Sequence, residues 1–301
     1  MRARKIFLPI LLYLAFSLLW TAGSAQRKDQ VVTLGKDLTA GQKNTVLGML
    51  RADPAGIKSG EITVLEVDNH EERDLFSGYV PERLIGTKAI SSAYVRSLPP
   101  GEGLLVTTRN ISWVTGRMYA NAMVTAGIKD AEVTVAAPHE VSGTAALTGI
   151  YKAFEKASGA ELPAGAKKTG AGELVETGEF AEEVGQETAA DYVRRSKERL
   201  LEKNASTPEE IRAVLKDVAG EMNITLTERR EEEFAGLFAE IRKLNLQLDT
   251  LRRQLKTEEG KPAAEKQPDW LSKIIAYFMD LWRKLFTWIG RFAPKTGYHK
   301  K

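Results

Sequence analysis

Val31-Val-Thr-Leu-Gly-Lys-Asp-Leu-Thr-Ala-Gly-Gln-Lys-Asn-Thr-Val-Leu-Gly-Met-Leu50 decides the fold class. Val31 to Leu34 suits a short strand. Thr39-Ala-Gly-Gln42 is a capping box, in which a hydroxyl and an amide three residues apart satisfy each other's backbone N–H groups and open a helix through Leu47 and Leu50. A strand followed at once by a helix sets a mixed rhythm, and the chain keeps it for more than a hundred residues.

Glu61 to Val67 alternates polar and apolar residues as a half-buried strand should. Ala89 to Ser97 and Leu104 to Asn110 flank Leu98-Pro-Pro-Gly-Glu-Gly103, a Pro/Gly cluster that reads as a hairpin loop. After Thr115 a helix carries Met118, Ala122 and Met123 and stops at Gly127; Ile128 to Ala136 is the next strand, and Ser142 is expected to cap a helix running to about Lys156. These elements predict an α+β fold, with a mixed α/β domain over residues 26–160.

Beyond it the Gly, Ala and Lys-rich stretch 161–172 reads as a linker, and strand signals vanish over 173–256. Thr207-Pro-Glu-Glu210 supplies a cap, a first-turn proline and a returning carboxylate, with Ile211, Val214, Leu215, Val218 and Met222 along one face. A single helix is expected from about Thr227 to Lys256, placing Phe234, Leu237, Ile241, Leu244, Leu248, Leu251 and Leu255 at spacings of three and four. Such a stripe over 234–255 serves either a homo-oligomer seam or a helix packed inside its own bundle, and the neighbouring amphipathic helix favours the second.

The two ends carry different signals. Residues 1–25 run from a basic start (Arg2, Arg4, Lys5) through the apolar stretch Ile6 to Trp20 to small residues at Gly23 and Ala25, the order of a secretory signal peptide. The mature chain is then expected to begin near Gln26 and to work in an extracytoplasmic, secreted location. After a polar linker at 257–268 comes an amphipathic stretch, 269–293, and a basic end, 294–301. On a helical wheel Trp270, Ile274, Phe278, Leu281, Trp282, Leu285, Trp288, Ile289 and Phe292 fall on one half, while Lys273, Arg283, Lys284 and Arg291 fall on the other. An aromatic face opposite a cationic one predicts a helix lying on a membrane surface, since Lys273, Asp280, Arg283 and Lys284 interrupt any spanning segment. Docking of the same face on protein is the alternative.

The formal net charge of +3 equals the contribution of Arg2, Arg4 and Lys5, so the chain beyond them is near neutral and gives no ground for a nucleic-acid partner. With no cysteine, neither disulfides nor thiolate metal sites are available. No cofactor or metal pattern is present: His70 lies in a polar cluster without the His-Glu-x-x-His spacing or a calcium-loop glycine, and His299 belongs to the basic end.

Five blocks resemble the YpuA-like secreted proteins, a bacterial family of unknown function. They are Gly78-Tyr-Val-Pro81, Ile85-Gly-Thr-Lys-Ala-Ile-Ser-Ser92, Asn110-Ile-Ser-Trp-Val-Thr115, Tyr119-Ala-Asn-Ala-Met-Val-Thr-Ala-Gly-Ile128 and Val135-Ala-Ala-Pro-His-Glu-Val-Ser-Gly-Thr-Ala-Ala-Leu-Thr-Gly149. The resemblance runs from about Val31 to near Leu255. It implies an exported protein of the bacterial cell envelope and brings no catalytic residues with it.

Candidate ligand-binding residues come from within these blocks. Ser142, Gly143 and Thr144 set hydroxyls at an expected helix start, where free N–H groups can hold a phosphate or carboxylate, yet no lysine follows at phosphate-loop spacing. His139 is near enough to pair with Ser142, but the Gly-x-Ser-x-Gly elbow is missing. Asn110, Trp113 and Asn121 could line a binding surface, though such residues more often complete turns and caps. The balance favours a non-catalytic envelope protein binding an envelope partner or ligand. A hydrolase with an unfamiliar site in residues 78–149 and an oligomeric scaffold are the alternatives.

Overall fold

The computed structural model describes residues 29–76 and 87–255. The expected signal peptide, the block at 78–81 and everything predicted for 257–301 lie outside the described residues.

Strand β1 (Gln30–Gly35) leads into helix α1 (Ala40–Met49), whose Thr39–Gln42 capping box is fully formed. A short α2 (Pro54–Ser59) follows, then β2 (Ile62–Val67) and α3 (Asn69–Phe76). Next come β3 (Ser92–Ser97), β4 (Leu104–Ile111), α4 (Gly116–Ala126) and β5 (Ala131–Val141). Helices complete the described chain: α5 (Ala146–Ser158), α6 (Ala164–Val184), α7 (Gln186–Glu202), α8 (Pro208–Glu221), α9 (Glu228–Arg242) and α10 (Leu248–Leu255). The protein is α+β, as its opening stretch implies.

The sheet order is β2-β1-β3-β5-β4. β1 pairs with β2 in parallel and β4 with β5 in parallel, each through a helical crossover, while β3 runs against both of its neighbours. The expected β3–β4 hairpin is therefore not formed, because β5 is inserted between the two strands. The segment from Leu98 to Gly103 carries the chain beneath the first residue of β5, a step of two strand spacings, about 10 Å. Asp130 holds it there: its carboxylate accepts the N–H groups of Gly101 and Gly103, both at 2.9 Å. From α10, the Gln254 side chain donates to the same carboxylate at 2.9 Å and accepts the Asp130 N–H at 2.7 Å.

Local caps behave as their residues dictate. Thr115 accepts the Met118 N–H and Gly127 closes α4 with φ 96°. Thr207 and Glu210 form the capping box of α8, and Thr227 accepts the Arg230 N–H at the start of α9. Ser142 is an exception. Gly143 takes φ 98°, which breaks the helical path directly after Ser142, so α5 begins at Ala146 without a side-chain cap.

Two further expectations are corrected. The stretch 161–172 is not a linker, since it enters α6 at Ala164, and Ala166, Thr169, Ala171, Leu174 and Val175 are buried. Its glycines and alanines serve close packing: a methyl group on Gly170 would stand 2.6 Å from the Ala122 carbonyl oxygen of α4 and 2.5 Å from the Tyr151 hydroxyl. The long heptad helix is two helices, α9 and α10, parted where Asn245 adopts φ 51°. Phe234, Leu237, Ile241 and Leu251 are buried in the chain's own core, so the stripe 234–255 is not a free seam.

One core consequently joins the sheet to the helical half. Val133 and Val135 of β5, Tyr119 and Met123 of α4, and Leu147 and Ile150 of α5 share it with Leu174, Phe180, Tyr192 and Phe234. Within it Phe180, Tyr192 and Phe234 form a triangle with ring centroids 5.2–5.4 Å apart, in tilted and edge-on contacts that aromatic quadrupoles favour. A smaller core, containing Val32, Leu34, Val46, Leu50 and Ile62, lies on the opposite face beneath α1 and α2.

The contrast between glycines makes a test. In α9, a methyl group added to Gly236 would meet nothing within 4 Å, whereas one on Gly170 faces backbone. Gly236→Ala should stabilise by about 0.5–1 kcal/mol through helix propensity. Gly170→Ala gains the same propensity but forces the α4–α6 contact apart, at about 1–3 kcal/mol, leaving a net loss. Urea unfolding of the two variants should give shifts of opposite sign; a gain in both would mean that the α4–α6 contact yields freely.

Candidate functional site

The residues singled out in the sequence blocks are built into the frame. Asn110 takes φ 57° at the register shift between Arg109 and Ile111, and its side-chain amide donates to the Ala137 carbonyl at 2.9 Å. Trp113 donates from Nε1 to Glu182 at 3.1 Å, and its ring lies so near Gly178 that a methyl group there would collide with it. Asn121 is buried and donates to the Ala190 carbonyl of α7 at 2.9 Å. The Gly143 carbonyl accepts the Tyr119 hydroxyl, Thr144 is buried, and the Ser142 hydroxyl stands 3.5 Å from that of Thr144. His139 is exposed, with Nδ1 beside the Glu140 carbonyl rather than Ser142. Trp113 and Ser142–Thr144 lie on adjoining loops after the parallel strands β4 and β5, joined by the Val114 N–H to the Ser142 carbonyl at 3.1 Å, while Asn110 sits within β4 and bonds β5. There they lock those loops to each other and, through Trp113, to α6.

A cleft of about 470 Å³ opens elsewhere, between α3, α5 and the start of α6. This volume suits a small ligand. Glu71 and Asp74 of α3 line it, with Thr148, Tyr151, Lys152 and Glu155 of α5 and Ala164, Lys167 and Lys168 of α6. Lys152 bridges Glu71 at 2.5 Å and the Glu66 carbonyl at 2.7 Å. Glu155 holds the Lys167 ammonium and the Leu162 N–H, each at 2.9 Å. Asp74 pairs with His70, one turn back on α3, at 3.1 Å. Ala164, Lys167 and Lys168 did not stand out in the sequence, because composition alone marks the start of α6 as a linker. Helical spacing was the available signal: Ala166, Thr169, Gly170 and Leu174 recur at three and four as one face.

Two carboxyl groups elsewhere are shifted by burial. Glu72 of α3 is only 1% exposed. Burial, with Asp37, Asp68 and Glu71 adding repulsion against one hydrogen bond from Asn69, pushes its carboxyl up to about 7. In α6, Glu176 is likewise pushed up to about 7, by burial first and then by Glu233 and Glu179. Arg230, 4% exposed, gathers Glu179, Glu183 and Glu233 at 2.6–3.2 Å.

Deepest of all is an ion pair between α7 and α6. Lys197 and Glu173 are both fully buried. The ammonium donates to Glu173 at 2.7 Å, the Asn121 carbonyl at 3.0 Å and the Thr125 hydroxyl at 3.2 Å, and Thr125 donates to the other Glu173 oxygen. All three ammonium donors are thus satisfied, which makes the cluster a fastener for α4, α6 and α7 rather than a reactive lysine. Among the described residues, no group of three or more His, Asp or Glu gathers to hold a metal, and no helix is long and apolar enough to cross a membrane.

The sheet order, the shared core and the three-helix cleft define an α+β protein whose body carries a recess of small-molecule size. The chain belongs to the family described as "Protein of unknown function (DUF1002)", whose pattern matches residues 34–257. It is 34% identical over 262 residues to the "Uncharacterized protein YpuA" of Bacillus subtilis (strain 168), covering 85% of this chain and 88% of that one. No solved structure matches.

Proposed function

We propose that this protein is exported and acts at the outer face of a membrane as a non-catalytic binding protein, held peripherally by residues 269–293 while its body engages an envelope ligand or partner. The observation that carries the reading is the division of 269–293 into an aromatic, apolar half and a mostly basic half, the chemistry of a helix seated at headgroup depth. The leader pattern of residues 1–25 supports the location, and the cleft of about 470 Å³ between α3, α5 and α6 supports a body that binds.

Co-sedimentation with vesicles of anionic or neutral lipid tests it. The chain from Gln26 should pellet, more strongly with anionic lipid, and a version ending at Pro268 should stay in solution. Equal behaviour of the two would remove the tether.

A second reading, a hydrolase acting near residues 78–149, is favoured by Glu72. A buried carboxyl titrating near 7 suits a general acid, and its neighbour Asp37 accepts the Ala89 N–H at 2.8 Å. Hydrolysis of ester, peptide or glycoside substrates that Glu72→Gln abolishes without loss of folding would replace the binding reading.

A further inference from the structure

We propose that α3 is a proton-held wall of the cleft: its amino half stays docked while the buried carboxyl of Glu72 carries a proton, and swings outward, widening the recess, when that proton is lost. This rests on the binding reading above for what the recess serves, not for the membrane tether, and it does not require Glu72 to act on a substrate.

The inward face of α3 is divided along its length. Leu75 and Phe76 meet the main core, and both lie in the last turn. One turn earlier the inward position is Glu72, 1% exposed and four residues before Phe76, the spacing that sets two side chains on one helix face. The first turn, Asn69-His-Glu-Glu72, contains no apolar side chain to anchor it. Its other fasteners are ion pairs partly open to water, Glu71 with Lys152 of α5 at 2.5 Å and Asp68 with Lys36 at 3.5 Å. Pairs so exposed stabilise little. Docking of this half therefore depends on the Glu72 carboxyl. Glu71, Asp74 and Leu75 of the same helix line the cleft, so the position of α3 sets its width.

The surroundings of that carboxyl suit its neutral form. Asn69 gives it one hydrogen bond, at 3.1 Å. The charges acting on it most strongly are all negative: Asp37 from the turn after β1, Asp68 at the head of α3, and Glu71 beside it. The cations around the helix serve other acceptors: Lys36 serves Asp68, Lys152 serves Glu71 and the Glu66 carbonyl, Lys167 of α6 serves Glu155, and Arg73 donates to the Asn69 side chain. His70 pairs with Asp74, and Lys168, on the α6 side of the cleft, is exposed. Burial and the repulsion raise the carboxyl from 4.5 to about 7 in the docked helix. A helix swung outward returns Glu72 to water and to its ordinary value. The undocked form therefore gains on the docked one by nearly tenfold per pH unit between about 5 and 7, and levels off above. Acid closes the wall and neutrality loosens it.

Native-state hydrogen exchange of the full chain from about pH 5 to 8, corrected for intrinsic amide rates, tests the device. The amides of Arg73 to Phe76 should lose protection by nearly tenfold per pH unit up to about 7 and no further, in an opening that low urea leaves unchanged and that precedes exposure of the α5 amides. In Glu72→Gln the same amides should keep constant protection. The chain has no cysteine, so Thr148→Cys places a lone thiol in the cleft lining, at a side chain 9% exposed. Its labelling by a small methanethiosulfonate is taken as the ratio between the Glu72 and Glu72→Gln chains at each pH, which cancels thiol ionisation. That ratio should rise more than tenfold from about pH 5 to 7. Constant protection of α3, an equal pH dependence in Glu72→Gln, or exchange of α3 only together with α5 under urea overturns the device. A labelling ratio unmoved by pH overturns the widening of the recess. Failure of the chain to bind vesicles, or of any ligand to enter the cleft, would remove the binding reading and leave these results unchanged.

Discussion

Glu173→Ala should destabilise the body by about 3–5 kcal/mol, because it strands the Lys197 ammonium in a fully buried position without its counter-charge. Truncation leaves the Asn121 carbonyl and the Thr125 hydroxyl as the lysine's remaining partners. Burial already lowers the Lys197 pKa, with Glu173 opposing that shift. Without Glu173 the lysine should fold neutral. The folded state then binds fewer protons than the unfolded one, so the deficit shrinks as pH rises toward the ordinary lysine range. The double variant Glu173→Leu with Lys197→Met replaces both charges by apolar side chains of similar size and should recover most of the loss. Urea unfolding of parent, single and double variants decides the matter. Equal damage from single and double would mean that packing volume, not charge pairing, holds α4, α6 and α7 together.

Glu72→Gln should make the protein about 3 kcal/mol more stable than its parent at pH 8 and leave the two nearly equal near pH 4. The folded carboxyl titrates at about 7 against an ordinary value of 4.5. Between those values the folded state keeps a proton that the unfolded state has released. Parent stability therefore falls as pH rises through this window and has lost the full contribution above 7. Glutamine cannot ionise and keeps an oxygen for Asn69. Glu176 titrates in the same range, so the informative quantity is the difference between parent and variant at each pH. A difference that does not vary with pH would show that the Glu72 carboxyl titrates alike in the folded and unfolded chain.

What could be read from the residues alone follows the range of the interaction responsible. Thr39, Thr115, Thr207 and Thr227 cap helices through contacts within three residues, and each helix begins where its threonine places it. The placing of β5 between β3 and β4 depends on pairing such as Tyr94 with Thr134, forty residues apart, and the Pro/Gly loop itself is compatible with a hairpin or with a longer step. The misread linker has a similar origin. Small residues make a chain flexible when exposed and let helices touch when buried, and only the nearness of Ala122 tells which holds at Gly170. For the site, the blocks point to the end of β4 and the loops after β4 and β5, where their polar groups are consumed in joining the frame. The cleft lies instead against the start of α6, where nothing in the local pattern distinguishes Lys168 from any surface lysine.

The clasp between Gln254 and Asp130 has a temporal meaning. Synthesis proceeds from the amino end, so all five strands are made while the residue that secures the turn before β5 is still more than a hundred positions away. A nascent chain halted before Leu251 and Gln254 holds an open core and a half-held turn. Completion of the body is thereby postponed to nearly the last of the described residues, so that core and turn close together in one late step.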